Sequence, residues 1–554
     1  MTLRIDVGPL SGSRLLEDYL AGSPRAGAFF SHSPYDLRAF REKLAEVGGR
    51  FGRAERETAA AAVHLTSPRA AERLARFVEQ GGAMVTTGQQ AGLFTGPMYT
   101  IHKILTAVRL AEALERELGV IVLPVFWTAS EDHDFEEASH TYAVDGVGRL
   151  QHFAVTPTDP RRVPMSEMRL GAEVDDVLTR FRECVALEGD ASSDLTAVLA
   201  AYRPGNTVAG AFRETIARLF DGWDLLLTDA ADPALKRASA PVLLRELENA
   251  AEHERLVRRR TEELEAAGYS GQVKVLSGAT NVFYHGPAGR ERLARAGDGL
   301  LAREARQRFT REEIGARLRD EPASLSPNVF LRPVVESSVF PTLAYVGGPA
   351  EVAYFAQVAP LFEAYGIQPP IAYPRFSATL VPAEVEAKAA ELGLDEEELR
   401  RPEHELASLL AERRLPAEVR ARAEELRAAL VDGFGRLMEA AGEIDANLHG
   451  TIGARRNHAL LQAAAAERKV LAHWKKRDPA IARDLPRVRN HLAPLGEPQE
   501  RVLNLLPFLA RQPTLLHDLA ARMEVRFAGG EPPPGEAEAP EAGAVHAPAA
   551  TPIS

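Results

Sequence analysis

Residues 83–127 read AMVTTGQQAGLFTGPMYTIHKILTAVRLAEALERELGVIVLPVFW, and the order of textures within them decides the fold. Ala83–Thr87 is a short apolar run of strand length, followed by a Gly-rich turn, GQQAGLFTG. Pro97 stands where a helix should begin, with Thr95 or Gly96 as its cap, because proline at the first helical position forfeits no hydrogen bond. The apolar spacing of YTIHKILTAVRLAEALEREL predicts a helix that stops near Gly119. IVLPVFW is then a second apolar run of strand length. Strand, loop, helix and strand in this order predict parallel neighbours in a doubly wound α/β sheet.

Upstream, residues 1–82 carry helical spacing in EDYL, Tyr35–Val47 and Ala70–Gln80 and read as a helical region packed on the core. Downstream, Asp224–Thr228, Val273–Leu276, Val282–Tyr284, Val334–Glu336 and Ala344–Val346 are further strand candidates, so the core spans 83–381. The mixed pattern of about 145–206 reads as an insertion into it. Over 382–476 the composition turns to Ala, Glu, Leu and Arg. Two long stretches there, Glu384–Asn447 and Ile452–Trp474, flank a turn signal at His449–Gly453, and Pro402 and Pro416 interrupt the first. This pattern predicts long antiparallel helices packed as a coiled-coil arm. Residues 477–527 regain a mixed texture and are expected to dock back on the core; the Pro-, Gly- and Ala-rich tail, 528–554, is expected to be disordered.

A chain of 554 residues is long enough for two or more structural units. Its formal net charge of −12 lacks the basic field that a nucleic-acid backbone requires, so no nucleic-acid partner is expected. The single cysteine, Cys184, excludes an intrachain disulfide and a multi-cysteine metal site, and fits a reducing compartment. Its setting, RFRECVAL, is a charged helical pattern and predicts a passive thiol. MTLRIDVGPLSGS has no basic region followed by an apolar core. No apolar run approaches the roughly 20 residues of a spanning helix, so a cytoplasmic protein without a membrane partner is expected.

Candidate chemistry gathers in three places. Thr87, Gly88, Gln89, Gln90, Gly92, Thr95, Gly96, Tyr99, His102 and Lys103 occupy the Gly-rich turn and the first turns of its helix. Glycines let backbone amides approach a ligand, a helix start offers unpaired N–H groups, and His102 and Lys103 add donors suited to phosphate or carboxylate. His102 is expected to point back toward the loop. The turn matches neither GxxxxGK(S/T) nor GxGxxG, and a tight strand-to-helix turn without a ligand is the alternative. Ser130, Glu131, Asp132, His133 and Asp134 follow the second strand and share its sheet edge with the first group if the strands are parallel neighbours. They can bind an amine, hold a divalent ion, act as acid and base, or simply form an acidic helix start. With no second histidine at HxxxH spacing, Mg²⁺ held by a carboxylate and nucleotide phosphates suits these residue types better than a transition metal. The third group lies in SPNVFLRPVVESSVFPTLAYVGG, residues 326–348, and in YPRFS. There Asn328, Arg332, Glu336 and Arg375 are ligand contacts or structural ion pairs, Arg332 being suited to bidentate capture of an anion, and Gly347 and Gly348 form a turn before a helix.

TGQQAGLFTGPMYTIHK, PVFWTASEDHDFEE, SPNVFLRPVVESSVFPTLAYVGGPAEVAYFAQ, YPRFS and PLGEPQERVLN, in this order between about Val85 and Asn504, resemble the successive motifs of the cysteine-adding enzymes of bacillithiol biosynthesis. The first two match most closely, and the arm is similar in character rather than residue by residue. The resemblance implies a Rossmann-like core with inserted connective elements, an α-helical coiled coil, and a ligase that joins L-cysteine to the glucosamine amine of glucosaminyl-malate. A free carboxylate is a poor electrophile, so ATP with Mg²⁺ is the expected activator. On this reading the Gly88–Gly96 loop, His102 and Lys103 hold phosphates and stabilise developing charge. Asp132, His133 and Asp134 orient the cysteine ammonium or the sugar amine, with His133 as the base. Arg332 or Arg375 holds the malate carboxylates, and the arm builds a homodimer. A nucleotide- or sugar-binding regulatory or scaffold protein of the same thiol pathway, without turnover, is the alternative.

Overall fold

The central sheet contains β1 (His64–Leu65), β2 (Ala83–Gln89), β3 (Val122–Thr128), β4 (Leu226–Asp229), β5 (Thr342–Gly347) and β6 (Ile371–Pro374). The computed structural model describes residues 3–528 apart from 9, 11 and 186–189, so the tail expected over 528–554 lies outside the described residues from 529 on. The strand order is β6-β5-β2-β3-β4-β1, and every neighbouring pair is parallel except the short edge pair of β4 and β1. From β2 the chain moves outward through β3 to β4, then crosses back to place β5 on the other side of β2. The order therefore reverses between β2 and β5, and in open α/β sheets the crevice beyond the carboxyl ends at such a reversal is where ligands bind.

Helix α1 (Tyr99–Leu118) follows β2 and ends where Gly119 takes a left-handed conformation with φ 69°. Its start differs from expectation. Neither Thr95 nor Gly96 caps it; Phe94, Thr95 and Gly96 all have positive φ (50°, 79° and 69°), and the chain turns tightly before entering the helix at Tyr99. Asn504 holds this turn from the far end of the chain. Its Nδ2 donates to the carbonyls of Phe94 (2.7 Å) and Gly96 (3.2 Å) and to Thr141 Oγ1 (3.1 Å), while the Met98 N–H donates to the Leu503 carbonyl at 2.9 Å.

Further elements are α2 (Pro233–Ala266), α3 (Arg332–Val339) and α4 (Pro349–Ala364). Val334–Glu336, expected as a strand, lies in α3 because the Asn328 side-chain oxygen accepts the Phe330 and Leu331 N–H groups at 3.0 Å each and Pro333 favours the first helical turn. Val273–Leu276 forms no strand; the Gln357 side chain satisfies both backbone groups of Val273. Val282–Tyr284 belongs to Ala279–Gly286 in a separate five-stranded antiparallel sheet. A hairpin of His140–Val144 with Leu150–Ala154 straddles the start of the region read as an insertion, which also carries helices that include Glu173–Val185. Leu3–Val7, within the region expected to be mostly helical, is a strand paired with Ala378–Pro382.

The arm is an antiparallel pair, α5 (Ala417–Gly442) and α6 (Ala446–Arg477), and the 26 residues of α5 span about 40 Å. Pro402 and Pro416 immediately precede helices, as their chemistry requires. The hairpin turn falls at Glu443–Asp445 rather than at His449–Gly453, because Asp445 caps α6 by accepting the Asn447 N–H at 2.9 Å. Gly453 is helical and faces Met438. Among the described residues no helix is long and apolar enough to cross a membrane.

Replacing Asn504 with Ala strips partners from two buried carbonyls and should lower unfolding free energy by roughly 1–3 kcal/mol. A fall in the urea midpoint at unchanged slope is the expected observation; an unchanged midpoint would show that the turn holds without this residue.

Candidate functional site

Two adjoining cavities, of about 390 and 300 Å³, open beyond the carboxyl ends of β2, β3 and β5. Trp127, Ala129, Val329 and Arg332 line both and form their common wall. The first lies at the reversal point, between Gln89 and Gln90 at the end of β2 and Gly348 and Glu351 at the start of α4. The second lies between the loop after β3 and the five-stranded sheet.

Lys103 is buried beneath the first cavity. Its Nζ donates to the Gly88 carbonyl at 2.9 Å and to Gln89 Oε1 at 2.7 Å, and pairs with Glu351. Burial draws the Lys103 pKa down, with Glu351 opposing. Burial alone would raise the Glu351 pKa, but Lys103, the Tyr345 hydroxyl at 2.7 Å and the Gly348 N–H at 2.8 Å together hold it below the usual carboxylate value. Arg332 is spent in a similar way: it binds Glu336 Oε2 at 2.7 Å and the Tyr354 hydroxyl at 2.8 Å, and Thr86 donates to the other Glu336 oxygen. Arg375 makes a bidentate pair with Glu500, at 2.7 and 2.6 Å. Two charged groups of this cavity, Arg501 and the Glu137 carboxylate, form no ion pair within 4 Å among the described residues, although Lys103 and His140 act on Glu137 from further away. Desolvation at the cavity mouth, then the charges of Asp134 and Asp132, raise the Glu137 pKa.

Much of the Gly-rich turn is engaged by protein partners. Gly88 and Gly92 are required by close packing within the protein, since a Cβ at Gly88 would meet the Trp127 carbonyl at 2.9 Å and one at Gly92 would meet the Gly96 Cα at 2.7 Å. Thr95 and Gly96 face Asn504 and Tyr202 rather than a cavity, and Leu503 occupies the first N–H of the helix start. Thr87 donates to the Val346 carbonyl at 2.7 Å. His102 points away from the loop: it is fully buried, its Nδ1 lies 2.9 Å from Glu500, and its ring meets Phe376 edge-on. Of this group, Gly88, Gln89, Gln90, Tyr99 and Lys103 reach the first cavity. Gly347 ends β5 against Glu351, and Gly348 lines the cavity.

In the loop after β3, Ser130 donates to Asp229, and Glu131 pairs with Lys236, whose charge opposes the rise in pKa that burial imposes on Glu131. Asp134 belongs to an acidic helix start; it caps Phe135–Ala138 and lines neither cavity. Asp132 and His133 do line the second cavity, and Asp132 accepts from Gln90 and from the His133 N–H. His133 Nδ1 lies 3.1 Å from an Arg290 nitrogen. Arginine has donors only, so Nδ1 is the acceptor and the neutral ring carries its proton on Nε2. Burial, then Arg290, lower the His133 pKa, so the neutral ring is the form present at pH 7. In this tautomer the Nδ1 lone pair of His133, the group expected as the base, is engaged by Arg290, and Nε2–H is the donor it carries. Asn328 lines this cavity, but its amide is occupied by Asn281 and the start of α3.

Several residues that shape the site escaped the sequence reading. Arg290 and Arg292 alternate in RERLARA, and that i, i+2 spacing on a strand could have placed them on one face. Glu351 stands three residues after Gly348, the spacing of a capping box. Nothing local in PLGEPQERVLN marks Glu500 as the partner of Arg375.

A parallel sheet with a polar double cavity at its point of reversal and a long helical arm defines a Rossmann-like α/β protein built to handle small polar molecules. Residues 3–376 match the bacillithiol biosynthesis BshC N-terminal Rossmann-like domain, and residues 378–525 match the BshC C-terminal coiled-coil domain. The chain belongs to the BshC family of bacillithiol biosynthesis. It is 35% identical over 508 residues to a protein of Koribacter versatilis named "Putative cysteine ligase BshC", covering 90% of this chain and 93% of the relative. Relatives of the same name from Solibacter usitatus and Bacillus velezensis are 32% and 26% identical, covering 92% and 90% of this chain and 94% of each relative.

The Glu500 carboxylate makes the site's stability depend on pH. Burial opposes its ionisation, but the hydrogen bond from His102 and the Arg375 charge prevail and lower its pKa from 4.5 to about 2. A depressed carboxylate stabilises the fold above its unfolded pKa and loses that contribution as pH falls through the folded value. Replacing Glu500 with Gln should cost roughly 3–5 kcal/mol at pH 7, because Arg375 remains buried and unpaired. The gap from wild type should narrow below pH 4.5; denaturant melts from pH 7 downward with a constant gap would contradict the assignment.

Proposed function

We propose that this chain is the cysteine ligase of bacillithiol synthesis in the cytoplasm, joining the carboxyl carbon of L-cysteine to the glucosamine amine of glucosaminyl-malate. The observation that carries the reading is the pair of cavities meeting at one wall, which gives two polar substrates separate beds and a shared boundary. ATP with Mg²⁺ is the proposed co-substrate: phosphoryl or adenylyl transfer to the cysteine carboxylate supplies the leaving group that amide formation needs. Gly88, Gln89 and Gln90 border the same cavity, and Arg501, without an ion pair among the described residues, is the cation proposed to meet the phosphates. Among the described residues no cluster of three or more His, Cys, Asp or Glu stands ready for a metal, so Mg²⁺ would arrive on the nucleotide.

The amine must lose a proton to attack, and Glu137 takes the role of base first assigned to His133. It faces the first cavity with its carboxylate unpaired and its pKa raised. A group with a raised pKa works as a base only above that value, so activity should fall on the acid side with a midpoint above the ordinary 4.5. Glu137→Gln should lower kcat by about 100-fold or more and abolish that acid limb. An unchanged pH profile would remove Glu137 from the mechanism.

Incubating the full chain with cysteine, glucosaminyl-malate, ATP and Mg²⁺ should give the cysteinylated product by mass spectrometry, dependent on ATP. Substrate binding without product would instead mark a scaffold of the pathway.

The arm leaves Leu426, Val431, Leu437, Ile444 and Leu461 between 49% and 82% exposed, an apolar surface suited to a second copy of the chain. Sedimentation should show a homodimer at micromolar concentration and a monomer when Leu437 and Leu461 are both changed to Lys. A wild-type monomer would leave the arm without this role.

A further inference from the structure

The second cavity holds a charge that the protein leaves unanswered. Arg290 and Arg292 project from the same face of Gly289–Ala296 and flank the Phe283 ring, their guanidinium carbons 3.9 and 5.1 Å from its centroid. Arg290 is fixed in place: it donates to Ser326 Oγ at 3.1 Å, to the Pro327 carbonyl at 3.2 Å and to His133, with Asp132 at 3.8 Å. Arg292 has no carboxylate within ion-pair distance among the described residues, although it is half-buried. The carboxylates nearest the cavity are already engaged, Glu131 by Lys236 and Asp132 by Gln90 and the backbone. His133 adds the Nε2–H donor derived above. Trp127, 3% exposed, forms part of the cavity wall. A guanidinium kept partly out of water without an anion is costly, and Arg290 and His133 line the same cavity.

We propose that this cavity is a carboxylate-binding site, with Arg292 as the principal contact and Arg290 and His133 as supporting donors, and that it takes the dicarboxylate end of the acceptor substrate. The last part rests on the ligase reading. Arg332 and Arg375, the residues first expected to hold the malate carboxylates, are committed to Glu336 and Glu500 and leave that role open. Size favours a small dicarboxylate over a nucleotide, because about 300 Å³ lies at the lower limit of ligand pockets. With the acid end seated there, the sugar amine can reach across the common wall toward Glu137 in the first cavity.

The test uses the full chain and calorimetry with L-malate alone, without turnover. Malate should bind wild type, and Arg292→Ala should weaken it at least about tenfold, with Arg292→Lys between the two. Arg292 has no ion-pair partner to strand, so the variant should keep the wild-type melting profile. In the ligation assay, Arg292→Ala should raise KM for glucosaminyl-malate by a similar factor, with KM for cysteine unchanged and no added loss on an acceptor that lacks malate. Equal malate affinity in wild type and variant, or no malate binding by a wild type that forms product, would overturn the site. Dependence of inorganic phosphate or ATP binding, and not malate binding, on Arg292 would also overturn it by making the cavity a phosphate site. Malate binding that needs Arg292 in a protein without ligation would sink the ligase reading and leave the carboxylate site standing.

Discussion

The Glu500 carboxylate is shared between the guanidinium of Arg375 and Nδ1 of His102, and all three groups are buried. Each comes from a different part of the chain: His102 from the second turn of α1, Arg375 from the residue after β6, and Glu500 from the segment that follows the arm. The cluster therefore tethers the returning C-terminal segment beneath the helix that carries Tyr99 and Lys103. Its stability is collective, since a buried ion pair is sustained by complete partnering and becomes a large liability when one member is lost. Arg375 also lies 5.8 Å from the Tyr99 ring centroid, so the cluster sets the floor of the first cavity as well as its anchoring.

The two cavities differ in electrostatic character more than in size. Most charges of the first are answered by protein partners, as in Lys103 with Glu351 and Arg332 with Glu336. Those pairs keep the cavity polar but close to balanced, a suitable bed for a molecule bearing both ammonium and carboxylate. The second carries the positive charge of Arg290 and Arg292. Under the proposed two-substrate reading, such a division lets each cavity favour its own substrate by charge before shape is considered.

The sheet core was legible because its signals are local. Ala83–Gln89 and Val122–Thr128 are apolar runs bounded by Gly and polar loops, and the helix between them has clear spacing and a terminal glycine. The convergence of the loops after β2 and β3 on one edge followed from parallel order alone. The roles of individual side chains were harder to read, because they depend on partners hundreds of residues away. His102 looked like a loop ligand until Glu500 turned it inward, and Gly92 looked like a ligand approach until Gly96 filled the space. Val334–Glu336 has strand-like composition, but the capping geometry of Asn328 lies outside any window of apolar spacing. Arg292 gave no sequence signal beyond its alternation with Arg290, since an arginine without a partner is visible only once its neighbours are known.

Asn504 and Glu500 stand after the arm in the chain, yet they complete a turn and an ion cluster that begin near residue 94. The ribosome therefore releases the sheet, the insertion and the whole helical hairpin before the residues that close the site emerge. Until they emerge, the carbonyls of Phe94 and Gly96 lack Asn504 and Arg375 lacks Glu500. Completion of the polypeptide is thus a structural event: a chain truncated anywhere within the arm would retain both strands of the opening motif and lack the finished pocket. The hairpin is an excursion from a fold whose last stitch is sewn afterwards, which couples a working site to an intact chain.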